Sequence, residues 1–282
     1  MPRQDRLVRT QSMIFTVYGD YVRYRGGEIW VGSLIRLMKE LGFSEQAVRS
    51  ALSRMCQRGW LQRVKVGKRS FYSMTPTSSR LLEEGAQRIY YFQQRARQWD
   101  GRWHVITYSI PERKRGVREK LRKELTWLGY GALSYGTWIS PHNSRREVER
   151  VVQELKVKRF VEVFSARHEG FATSQELVSR CWNLEEINRR YAAFLDKYRP
   201  RYQSFLHRLQ NGEEVPPAEC FVERVMLIHE YRKFPFFDPE IPQELWPEGW
   251  LAGEAAKLFE NYHRLLEPKA NAFFDAVYRN KW

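Results

Sequence analysis

Cysteine is scarce in this chain. Its 282 residues include only Cys56, Cys181 and Cys220. An odd number of widely spaced thiols builds neither a disulfide framework nor a Cys-x-x-Cys metal site, so reduced thiols and a cytoplasmic location are expected. Long apolar runs are missing as well. The stretch from Met13 to Val22 is broken by Thr16, Tyr18, Gly19 and Asp20. No segment approaches the roughly 20 apolar residues of a membrane span, and no secretory leader is expected. Catalytic signatures are equally thin. Gly67-Lys68 is followed by Arg69, which is not a phosphate loop. His229-Glu230 leads into Tyr231-Arg232-Lys233, without the second histidine of a zinc protease helix. Gly131 to Gly136 is one residue too long for a nucleophile elbow. The histidines at 104, 142, 168, 207, 229 and 263 have no ligand spacing. No catalytic residue, metal site or resident cofactor is expected, and the chain does not read as an enzyme.

What the chain has is positive charge, placed unevenly. The net charge is +15. Residues 1–97 hold 18 Lys and Arg against 7 Asp and Glu, a net +11. Residues 179–282 hold 15 against 16 and are nearly balanced. A polyanion is therefore drawn to the N-terminal third. On charge alone DNA, RNA and an anionic membrane surface all qualify.

The order of elements narrows this. An apolar-rich helix is predicted from Thr10 to Tyr21, broken by Gly26-Gly27. A short strand at Ile29–Val31 and a helix to Leu41 follow, the helix ending at Gly42. Ser44 then reads as the N-cap of a helix to about Arg58. Ala47, Val48, Ala51, Leu52 and Met55 make its apolar stripe, at helical spacing. Gln46, Arg49, Ser50, Ser53, Arg54 and Gln57 occupy the other face, and each can donate to a phosphate or a base edge. Leu61–Val66 and Arg69–Met74 form a predicted hairpin with a basic tip, carrying Arg63, Lys65, Lys68 and Arg69. Pro76 opens a long helix to about Gln98, with Leu81, Leu82, Ile89 and Tyr90 to pack it. Taken alone, the helix after Ser44 would pass for an ordinary amphipathic surface helix. Two helices joined by a tight turn, followed by a basic hairpin, give the winged helix-turn-helix order.

Beyond residue 98 the pattern changes. Trp103–Ile110, a helix from Pro111 to Leu128, Tyr130–Leu133, Thr137–Ile139, a helix from Arg145 to Leu155 and Phe160–Phe164 give βαββαβ, a ferredoxin-like order. The remainder is helical: Ser179–Phe194, interrupted at Pro200 and resumed to Leu209, then Cys220–Tyr231, a Pro-rich connection, and a pair of helices over Gly253–Phe274. The expected fold is thus α+β and multidomain. It comprises a winged helix-turn-helix domain over 1–97, a ferredoxin-like domain over 98–175 and a helical domain over 176–282.

Three strings carry a family resemblance. They are Phe15-Thr16-Val17-Tyr18-Gly19-Asp20-Tyr21, the helix string from Ser44 to Met55, and the stretch from Leu227 through His229, Glu230 and Tyr231 to Pro239. Together they resemble the PaaX family, repressors of phenylacetate-degradation operons, over nearly the whole chain. The resemblance implies a homodimer that binds a palindromic duplex-DNA operator. It also implies release by an aryl-CoA thioester such as phenylacetyl-CoA, an effector that spacing alone would never suggest. The middle segment is similar to the small CRISPR-associated ferredoxin-like proteins of spacer acquisition. Their first strand ends in a Tyr-Asp pair, whereas here Tyr108 is followed by Ser109. A Mg²⁺-dependent phosphodiesterase needs that carboxylate, so a structural or dimerising use is expected.

In this reading Gln46, Arg49, Ser50 and Ser53 face the major groove, with Arg49 the first choice for a guanine, and Ser44 joins the DNA-binding residues at the helix start. Arg54 and Lys39 touch phosphates, and Lys65, Lys68 and Arg69 lie along backbone or minor groove. His229, Arg232, Lys233, Phe236 and Trp246 are the candidate effector contacts, cations for phosphates and rings for an aryl or adenine group. The alternative for those five is core filling and capping of a helix end. The alternative function is an RNA-binding or nuclease-like protein built on the ferredoxin-like segment.

Overall fold

The computed structural model describes residues 3–90 and 99–279. Helix α1 (Arg3–Asp20) passes into a 3-10 turn at Val22–Arg25. The turn ends at Gly26 and Gly27, with φ of 86° and 72°. This left-handed pair is open to glycine at no steric cost. It releases the chain into β1 (Glu28–Trp30), α2 (Val31–Glu40), α3 (Glu45–Gln57), β2 (Leu61–Val66), β3 (Arg69–Met74) and α4 (Pro76–Tyr90). The three strands form one antiparallel sheet in the order β1-β3-β2. The expected extension of α4 to Gln98, and the packing of the Tyr90 side chain, lie outside the described residues. Leu81 is exposed, whereas Leu82 and Ile89 are half-buried.

The next stretch holds β4 (Trp103–Tyr108), α5 (Arg115–Trp127), β5 (Gly131–Ser134), β6 (Thr137–Ser140), α6 (Arg145–Glu154) and β7 (Val161–Ala166). Its sheet runs β5-β6-β4-β7, with every pair antiparallel. Leu121 and Leu125 of α5, and Val148 and Val152 of α6, bury against Ile106 and Trp138 of the sheet. The helical spacing of those leucines and valines meets the two-residue period of the strands there.

The rest of the chain is α7 (Ser174–Cys181), α8 (Leu184–Gln210), α9 (Pro217–Tyr231) and α10 (Ala252–Arg279). Three expectations are corrected here. Helix α7 is separate, and a capping box starts it: the Thr173 hydroxyl accepts from the Glu176 N–H at 3.2 Å, and the Glu176 carboxylate accepts from the Thr173 N–H at 2.6 Å. Helix α8 continues through Pro200, and α10 is one helix through Pro268 rather than a pair. An interior proline costs about 3 kcal/mol. Each helix offsets that cost with a long buried face, Tyr191, Phe194, Tyr198 and Phe205 in α8 and Phe259, Tyr262, Leu266 and Phe274 in α10.

The chain divides into two compact units, Met1–Tyr91 with Phe194–Arg232 and Glu254–Trp282, and Phe92–Ala193 with Lys233–Gly253. In the first unit, α9 and the second half of α10 complete the core of the N-terminal elements. Tyr21 stacks on Phe274 with ring centroids 4.7 Å apart. The Ser33 hydroxyl donates to the Val277 carbonyl at 2.9 Å. In the second unit the Tyr191 hydroxyl donates to the Asp238 carboxylate, and the Trp246 indole N–H donates to the Ile241 carbonyl at 2.7 Å.

Candidate nucleic-acid interface

Helix α3 is held by one face and offers the other. Val48, Ala51, Leu52 and Met55 are wholly buried, largely against α1. Gln46, Arg49, Ser50, Ser53, Arg54 and Gln57 are all exposed. The helix starts where Ser44 caps it, its hydroxyl accepting from the Ala47 N–H at 3.3 Å. Ser44 therefore commits one lone pair to the helix and keeps its hydroxyl proton for a partner. Gly42, at φ 80°, makes the tight turn from α2, its N–H donating to the Lys39 carbonyl at 2.9 Å.

Arg49 is oriented before any ligand arrives. Its Nε donates to Glu45 Oε1 at 2.8 Å, one helical turn back. Glu45 also sits in the first turn, where the helix dipole favours a carboxylate. Both side chains are more than half exposed. The contact therefore contributes a few tenths of a kcal/mol to stability and acts mainly on where the guanidinium points.

The β2–β3 hairpin stands beside α3 in the chain. Gly67 turns it with φ 58°, as a two-residue hairpin loop requires. Lys65 and Lys68 are exposed at its tip. Arg69 is half-buried, its guanidinium 5.0 Å from the centre of the Trp30 ring. Arg63 reaches across the ladder and donates to the Ser70 hydroxyl at 2.9 and 3.2 Å. Lys39, at the end of α2, is exposed too. The arrangement is a rigid helix face with one acid, Glu45, itself engaged by Arg49, next to a cationic hairpin.

Comparison with known proteins finds three successive family matches. Residues 9–78 match the family described as PaaX-like protein, 96–178 the PaaX protein central Cas2-like domain, and 182–276 the PaaX-like protein C-terminal domain. Over 265 residues the chain is 34% identical to the transcriptional repressor PaaX of Escherichia coli K12, covering 93% of this chain and 82% of that one. The chain belongs to the PaaX family. Among solved structures, the uncharacterized protein Rv0674 from Mycobacterium tuberculosis aligns with a TM-score of 0.57 at 21% identity, over 87% of this chain and 89% of that one. That likeness concerns the fold.

Within this PaaX-family chain the five effector candidates fall in different places. His229 and Arg232 belong to the first unit, and Lys233, Phe236 and Trp246 to the second. The His229 ring nitrogen Nδ1 lies 2.9 Å from the Thr16 hydroxyl, both buried. Arg232 donates to the Ser12 carbonyl at 3.2 Å and to the Ser12 hydroxyl. Burial lowers its pKa, because desolvation disfavours the cation. Lys233 is exposed, Phe236 lies 5.4 Å from the Trp127 ring, and Trp246 is half-buried. Ser109 is exposed at the end of β4, its N–H donating to the Phe160 carbonyl at 3.0 Å. Among the described residues, no three His, Cys, Asp or Glu side chains converge as metal ligands.

Sequence reasoning passed over two features of this region. The Glu45–Arg49 contact was signalled by its i, i+4 spacing. The Asp20–Arg224 pair, 2.8 Å between Oδ2 and Nη1, joins residues 204 positions apart and leaves no local signal.

Proposed function

We propose that this chain is a transcriptional repressor that binds duplex DNA through α3 and the β2–β3 hairpin. The observation that carries the reading is the exposed donor face of α3, fixed by a fully buried stripe and flanked by Lys65, Lys68 and Arg69. Family membership and the E. coli relative, a transcriptional repressor, support it. Residues 1–97 then act as a winged helix-turn-helix domain. Gln46, Arg49, Ser50 and Ser53 read base edges, Arg49 pairing with a guanine. Arg54, Lys39 and the hairpin cations hold phosphates, and Ser44 sets the helix start against the duplex. Residues 98–175 serve as a ferredoxin-like module without catalysis, Ser109 standing where a nuclease needs a carboxylate. The β5-β6-β4-β7 order supports that assignment. Residues 176–282 supply helical support, and the protein works in the cytoplasm.

As a homodimer the protein sets two α3 helices about 34 Å or a multiple apart on a palindromic operator. The operon is one for aromatic-acid catabolism. The effector is an aryl-CoA thioester such as phenylacetyl-CoA, with His229, Arg232, Lys233, Phe236 and Trp246 as its contacts. Release requires that the thioester bind the DNA-incompetent state more tightly.

The test is a titration against the DNA upstream of the protein's own operon, at two salt concentrations, with and without phenylacetyl-CoA. Specific binding that weakens with salt and is released by the thioester supports the whole reading. Specific binding untouched by the thioester removes the effector and keeps the repressor. A preference for RNA, or metal-dependent cleavage of either nucleic acid, replaces the reading with the RNA-binding or nuclease-like alternative.

A further inference from the structure

A cavity of about 970 Å³ lies within the first unit, among the end of α1, the turn that follows it, α4 and α10. Small-molecule sites run from about 300 to 1,000 Å³, so it has room for much more than an inorganic ion. Its lining carries both signs, with Arg23, Arg25 and Arg224 set against Asp20, Glu83 and Glu267. Asp20 and Arg224 pair at 2.8 Å with both side chains only 4% exposed, and His263 Nε2 lies 3.6 Å from the other Asp20 oxygen. A buried ion pair is a poor stabiliser compared with apolar packing, so charges kept against a cavity suit polar recognition.

The other two arginines differ in their circumstances. Arg25 is committed, donating to Asp275 at 2.5 Å and to Asn271 at 3.3 Å. Arg23 has no carboxylate within ion-pair distance among the described residues. Its Nε is buried and meets no acceptor there. Its Nη1 donates to the Leu82 carbonyl at 3.5 Å and its Nη2 to the Tyr24 hydroxyl, both neutral acceptors, and the guanidinium lies 4.3 Å from the centre of the exposed Tyr24 ring. A guanidinium held by neutral acceptors alone, with one buried donor unfilled, keeps its charge for an oxyanion.

We propose that this cavity binds a small molecule through an anionic group, a carboxylate or a phosphate, held by Arg23 beside Tyr24. The site is distinct from the effector contacts assigned above. Its consequence for DNA, though not its ligand binding, rests on the repressor reading. The route is short. Gly26 and Gly27 line the cavity, and the Gly27 carbonyl accepts from the N–H of Met74 at 2.9 Å. Met74 ends β3, the strand that pairs along its length with the hairpin strand β2. An occupant therefore bears on the root of the cationic hairpin.

The experiment is calorimetric titration of the full chain with inorganic phosphate, phenylacetate, coenzyme A and phenylacetyl-CoA in turn. Arg23→Gln removes the cation. Ser79→Trp, at an exposed α4 position on the lining, fills the space without touching the core. Arg180→Gln, exposed on α7, controls for loss of one charge. The expected result is binding of at least one probe that Arg23→Gln weakens about tenfold or more, as for loss of a charge-assisted contact, that Ser79→Trp abolishes and that Arg180→Gln leaves unchanged. The phosphate and phenylacetate arms tell the two anions apart. No binding of any probe below about 1 mM, or binding indifferent to both cavity variants, overturns the site. DNA binding without ligand, measured on the same three variants, reports separately on the repressor reading.

Discussion

The Asp20–Arg224 pair gives the sharpest energetic prediction. It links α1 to α9 inside the first unit, with each side chain 4% exposed and the charges 2.8 Å apart. Arg224 also lies over the Tyr21 ring, 5.1 Å from its centre, and that ring stacks on Phe274. Asp20→Asn keeps the shape and removes the charge. The guanidinium then stays in a place where desolvation is expensive and the carboxylate 2.8 Å away is gone. Breaking a buried pair from one side costs about 3–5 kcal/mol, a large part of a domain's usual stability. Exchanging both partners for apolar groups, as in Asp20→Leu with Arg224→Met, removes the desolvation cost together with the attraction and recovers most of that loss. Urea unfolding at pH 7, followed by hydrogen exchange of peptides from α1 and α9, reads this unit separately from the other. A single variant costing less than about 1 kcal/mol, or a double variant as unstable as the sum of its parts, refutes the reasoning.

Other outcomes follow from single sites. Burial pushes the Asp238 carboxyl up to about 6 from 3.8, against the opposing hydrogen bonds from Tyr191 and the Glu240 N–H. The folded state takes the proton first, so this site's stabilisation is full below about pH 4 and is lost as pH rises through 6. It amounts to about 3 kcal/mol, and Asp238→Asn should flatten the wild-type stability difference between pH 4 and 7 by that much. Glu45→Gln should leave stability within about 0.5 kcal/mol, because the ion pair is exposed, yet relax discrimination at the base proposed for Arg49. Leu52→Ala, in the buried stripe of α3, should cost about 2–5 kcal/mol and lower the melting temperature. Thr173→Ala should cost about 1 kcal/mol by removing one half of the α7 capping box.

Local chemistry was readable in the sequence, and distant partnership was not. Ser44, Gly42 and the Val48–Met55 stripe identified α3 because caps, left-handed glycines and helical spacing all act within a few residues. The hairpin at Gly67-Lys68 was found with its strand ends unchanged for the same reason. Pro200 and Pro268 misled because a proline's cost is local, while the burial of Tyr198, Tyr262 and their neighbours that offsets it comes from other helices. Helix α7 was visible in Thr173-x-x-Glu176, a signal available but unused. His229 and Arg232 looked like a ligand site together with Lys233. Only the folded chain reveals that Thr16 and Ser12 of α1 engage the first two. The cavity beside Arg23 is built from α1, β3, α4, α9 and α10, and no window of sequence contains it.

The central claim is that α3 reads DNA through its exposed face. Its most direct test is Arg49→Ala, measured as the ratio of affinities for the operon's upstream DNA and for a scrambled duplex at fixed salt. The account predicts an unchanged fold and a specificity ratio reduced by about tenfold or more, the loss of one bidentate base contact. A ratio that does not move, with both affinities varying only with salt, would reduce α3 and the hairpin to a non-specific cationic surface and contradict the account.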